Sequence, residues 1–130
     1  MIFEYMPLSK QIELVFREIR EELLPLSSGV VFVQIRNNTI GKFGIKHFPI
    51  ESKSGMLQPT GKGLSEAHLK MFKDMAVESL RHKKRWTHGE ILFEFALIQG
   101  TLRASVQFES NYNMANLIMK RDSRNIKELN

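Results

Sequence analysis

Two apolar periods alternate along the chain, and together they set out its elements in order. From Ser9, placed to cap a helix, the residues Ile12, Val15, Phe16, Ile19 and Leu23 recur at the spacing of one helical face. Pro25 and Ser27-Ser28-Gly29 end that run. Val30–Arg36 is rich in β-branched residues and reads as a strand, and Asn37-Asn38 tolerates the positive φ of a tight turn. Thr39–Phe48 returns as the partner strand, with Gly41 and Gly44 predicting a bulge or a close backbone approach. Glu51–Gly63 is a long polar loop. Ser65 caps a second helix whose buried stripe is Leu69, Phe72, Met75, Ala76 and Leu80. The clearest pattern follows: Gln99-Gly100 makes a two-residue turn between alternating strands. It pairs Leu97 with Leu102, Phe95 with Ala104, Phe93 with Val106 and Ile91 with Phe108, all apolar. A short last helix turns Met114, Leu117, Ile118 and Ile126 inward, and residues 122–130 fray.

The order αββ-αββ-α, in one domain over residues 1–130, predicts an α+β two-layer sandwich. Its mostly antiparallel sheet of two hairpins carries the helices on one face. Alternation puts Phe32, Phe48, Leu92, Ala96 and Ile98 on the other face, where a one-sided sheet should be polar. These five are the candidate protein interface, to be covered by the third helix, a protein partner or a second copy.

Charge adds a second candidate. The net charge is +5, yet Arg81, Lys83, Lys84 and Arg85 fall in one stretch and Lys120, Arg121 and Arg124 in another, leaving the rest of the chain slightly acidic. These seven bases form a candidate surface for an anionic partner, nucleic acid included, with Trp86 able to stack on a base. Against that stand the helix macrodipole, which also favours cations near a helix C-terminus, and the role of a lone Trp as a core anchor.

Catalytic chemistry is hard to assemble from this chain. With no cysteine, thiolate nucleophiles and cysteine-held zinc are excluded. His47, His68, His82 and His88 show no metal-ligand spacing, and no G-x-S-x-G turn occurs. Glu90 and Glu94 share a strand face, an arrangement more typical of a solvated surface than of acid–base work. The run Gly55–Gly63 departs from a phosphate loop in spacing and ends in Gly where magnesium needs a hydroxyl. Only Gly61-Lys62-Gly63, ahead of a helix start, retains the means to hold an anion. A protein without enzymatic activity, cofactor or metal is the expectation. No apolar run is long enough to span a bilayer and Met1–Tyr5 does not resemble a leader, which fits the cytoplasm and gives no membrane partner.

The plan resembles a known family at one point above all. The segment Trp86–Phe108, WTHGEILFEFALIQGTLRASVQF, places a Trp after a helix and then a Gly-centred alternating hairpin. In this and in its order of elements the chain is similar to the YezG-like immunity proteins of bacterial polymorphic toxins. The resemblance implies an inhibitor that acts by forming a complex with a toxin, without catalysis. Acidity would suit an inhibitor of a nuclease, and this chain is basic.

Overall fold

Described in the computed structural model are residues 6–59 and 61–129, with side chains as far as Arg121. The elements are α1 (Leu8–Glu18), α2 (Arg20–Leu23), β1 (Ser28–Arg36), β2 (Thr39–Lys46), β3 (Ser52–Lys53), β4 (Met56–Leu57), α3 (Glu66–Ser79), β5 (His88–Ile98), β6 (Thr101–Ser110) and α4 (Met114–Leu129). A 3-10 turn, Leu80–His82, continues α3.

The α+β sandwich is the fold. Two hairpins join through β1 and β5 into an antiparallel sheet of order β2-β1-β5-β6. The β5–β6 register is the one that turn chemistry and alternation dictate, from Leu97 opposite Leu102 to Ile91 opposite Phe108. Asn37 and Asn38 both take positive φ, as a type I′ turn requires, and a bulge falls between Val33 and Ile35, opposite the Gly41 stretch. The inner row Val31, Val33, Ile35, Ile91, Phe93 and Phe95 meets Ile12, Val15 and Phe16 of α1 and Leu69, Phe72 and Ala76 of α3. Phe72 joins the layers, 5.2 Å from the Phe16 ring and 4.9 Å from the Phe95 ring. Trp86, 1% exposed, closes one end of this core. Its ring excludes any side chain at Gly89, where a Cβ would stand 2.5 Å from the indole.

Five expectations differ from what is found. Ser9 does not cap α1: Pro7 holds the cap position with its ring-fixed φ of −59°, and no side chain caps. The first helix breaks at Ile19, and β2 stops at Lys46, leaving Phe48 beyond the strand. The 51–63 loop contains the ribbon β3–β4, turned by Ser54 and Gly55 at positive φ. The last helix is long, and Met114, Leu117 and Ile118 are exposed rather than inward. The reason is spatial: α1 and α3 already cover the helix side of the sheet. Ile126 and the expected frayed residues 122–130 lie outside the described side chains.

Candidate functional site

The sheet face turned away from α1 and α3 is assembled by pairing. Phe32 lies opposite Gly44 on one side and Leu92 on the other. Gly44 permits this packing, because a Cβ there would come within 3.0 Å of the Phe32 ring. Lys46 Nζ stands 5.5 Å from the centroid of the same ring, close enough for a cation–π contact. Ala96 sits opposite Ser28 and Arg103, and Ile98 opposite Thr101. Four of the five expected interface residues therefore share a face. Phe32, Leu92 and Ala96 are half-buried among their neighbours and Ile98 is 47% exposed. Phe48, 39% exposed, sits past the end of β2.

Polar residues surround this apolar centre. Glu90 and Glu94 flank Leu92 along β5, and Arg36, Lys46 and Arg103 stand at the margins. Directly across from Glu90 is not Glu94 but Glu109, a neighbour that the hairpin register implies. Two like charges directly opposed are unfavourable. Gln34 donates to Glu90 Oε2 at 3.1 Å, and neither glutamate has an ion-pair partner among the described residues.

The first basic cluster is only partly free. Arg81 pairs with Glu78 at 3.2 Å, and Lys83 Nζ lies 4.9 Å above the Trp86 ring. Lys84 and Arg85 are exposed without an ion-pair partner among the described residues. Trp86 is not a stacking platform: it is buried, and its Nε1 donates to the Lys83 carbonyl at 3.2 Å. Of the second cluster, Lys120 and Arg121 are exposed on α4, and the Arg124 side chain lies outside the described residues.

The helix start behind Gly61-Lys62-Gly63 is capped by its own side chains. His68 N–H donates to Ser65 Oγ at 3.1 Å, and Ser65 N–H donates to His68 Nδ1 at 3.2 Å. The imidazole thus takes the place of the Glu or Gln of a capping box, and its Nε2 lies 3.1 Å from the Gly100 carbonyl. An acceptor at Nδ1 assigns the proton to Nε2, which donates to that carbonyl. His68 is a structural clasp between α3 and the β5–β6 turn.

One feature escaped the periodicity. Leu14 and Phe43, both partly exposed, line an open groove of about 630 Å³ between α1 and β2, with Met6 and Ile40. Leu14 lies off the α1 stripe, and an apolar residue off the stripe was the available signal. Among the described residues no group of three His, Asp or Glu side chains could hold a metal, and no helix is long and apolar enough to cross a membrane.

No protein family, curated protein or solved structure matches the chain.

Proposed function

We propose that this chain is a non-enzymatic protein-binding domain whose partner sits on the Phe32–Leu92 face of the sheet. The observation behind this reading is the apolar centre of that face, which no described helix covers. A half-polar sheet face can stay in water, but a central Phe–Leu pair, with Ala96 and Ile98 on the same face beyond Glu94, gains free energy from a dry contact. Glu90 and Glu94 on either side of Leu92 favour basic residues at the centre of the partner surface, and Arg36, Lys46 and Arg103 at the margins favour acidic ones around them. The basic clusters lie on other elements, so the overall charge of +5 does not oppose such a partner. The similarity in plan to YezG-like immunity proteins makes the partner class a bacterial toxin held in an inactive complex.

Affinity recovery of the tagged chain from a native lysate, with and without nuclease, tests this. The expected outcome is a protein partner that survives both nuclease and high salt and is lost with Leu92→Arg. Recovery of nucleic acid alone, or a partner indifferent to Leu92→Arg, would overturn it. The second reading, nucleic-acid binding by the two basic clusters, has in its favour Lys84 and Arg85, exposed and without an ion-pair partner among the described residues. Burial of Trp86 removes its stacking base. In the same experiment it would give material that disappears with nuclease.

A further inference from the structure

The two edges of the sheet are built differently. β2 is guarded: a bulge interrupts its register, and Lys42 and Lys46 stand along it. β6 has no such guard. It pairs with β5 through ten consecutive residues without a shift, contains no Pro, Gly or Lys, and among the described residues has no strand on its far side. A regular open edge is a template for another strand.

The turn determines which backbone groups face outward. Gln99 and Gly100, at φ 51° and 77°, make the tight turn that aims the Thr101 N–H at Ile98. At the other end the Asn111 N–H donates to the His88 carbonyl at 2.9 Å. Odd-numbered residues of β6 therefore bond to β5, while Leu102, Ala104, Val106, Phe108 and Ser110 turn their N–H and C=O groups outward. Val106 and Phe108, with Met75 of α3, also line an open groove of about 460 Å³ along this edge.

We propose that a second copy of this chain occupies the edge, β6 against β6, antiparallel, about a two-fold axis through Val106. Faces must match across the junction, so even-numbered residues must oppose even-numbered ones. Centring on Val106 sets Arg103 opposite the partner's Glu109, and the two-fold repeats that ion pair. It also sets Ala104 opposite the partner's Phe108, small against large, and Ser105 opposite the partner's Gln107. Centring on Ser105 would instead leave Arg103 facing Gln107 and Glu109 facing Thr101. The opposed Glu90 and Glu109 gain a counter-charge only in the first register. The partner strand also covers the rim of the Met75–Val106–Phe108 groove. This edge is separate from the Phe32–Leu92 face, so the proposal does not rest on the function given above.

Sedimentation equilibrium of the full chain over a range of concentrations tests it. A reversible dimer is expected, with Kd on the order of micromolar. Arg103→Glu and Glu109→Arg should each weaken it by about tenfold, and the double exchange should restore it. Both side chains are exposed, and Glu109→Arg relieves the repulsion at Glu90 in the monomer, so this variant should melt no lower while dimerising less. Because the chain lacks cysteine, Val106→Cys supplies one thiol on the axis and should cross-link to a covalent dimer under mild oxidation. A strictly monomeric chain would overturn the proposal. So would a dimer indifferent to both reversals, one that the double exchange does not restore, one broken by Leu92→Arg alone, or one that the Val106→Cys substitution fails to cross-link.

Discussion

Asn38 occupies a position where hairpin turns usually take glycine, at φ 59°, and its side chain explains the difference. Its Oδ1 accepts from the Trp86 N–H at 2.8 Å, while its own N–H donates to the Trp86 carbonyl at 2.8 Å. Its carbonyl accepts from Gln11 Nε2 at 3.1 Å, and Gln11 Oε1 accepts from the Ile40 N–H at 2.7 Å. One turn residue thus ties the first hairpin to the Trp86 segment and to α1. Asn38→Gly keeps the backbone conformation and leaves a backbone donor unpaired, so it should lower unfolding free energy by about 1 kcal/mol. Asn38→Ala adds the strain of a left-handed residue and should cost about 1–2 kcal/mol more. Urea denaturation of the two variants checks both; a glycine variant as stable as the parent would refute the role of the side chain. The turn itself was legible in Asn37-Asn38. Gln11 was not, because it reads as part of the polar side of α1 and only the fold brings Asn38 and Ile40 to it.

At the scale of elements, legibility follows from how local the determinants are. The β5–β6 hairpin is specified by a turn and a period of two within Ile91–Phe108, and the alternation leaves no competing register. The helix ends depend on distant partners. The break at Ile19 was not legible from the stripe, because Ile19 still packs against the core on both readings. The break starts α2 at Arg20, which hydrogen-bonds to Glu66 in the first turn of α3. That hydrogen bond, opposed in part by desolvation, holds the Glu66 carboxyl below its ordinary range. A carboxylate with a lowered folded pKa stabilises at pH values above its unfolded pKa and loses that contribution as pH falls through the folded value. The effect is small, since both groups are exposed. The Tm difference between the parent and Glu66→Gln should therefore be present at neutral pH and vanish well below pH 4.5. A gap that stays constant with pH would show that the pair adds nothing.

At the scale of the molecule, one count of surfaces decides what the amphipathic pattern of α4 means. An apolar helical stripe states that something must cover it, and a sequence reader assigns that to the nearest sheet. Here the four-stranded sheet has one helix-bearing face, and α1 and α3 fill it down to Trp86. Tyr112 remains 89% exposed, Met114 66% and Ile118 51%. The open Phe32–Leu92 face was legible for the opposite reason: alternation alone sorts residues to two sides, whatever covers them. The exposure of α4 makes a definite statement about stability. Removing residues 114–130 takes away no core side chain among the described residues and keeps the Asn111 bond to His88. The truncated chain should unfold in urea within about 0.5 kcal/mol of the parent, as expected for changes confined to the surface. Its β5–β6 amides should keep their hydrogen-exchange protection, since their partners are all retained. A loss of several kcal/mol would mean that α4 packs on the sheet in solution, and its first candidate seat would be the Phe32–Leu92 face itself. In that event the helix, rather than a partner, would be what the apolar residues of that face exist to bind.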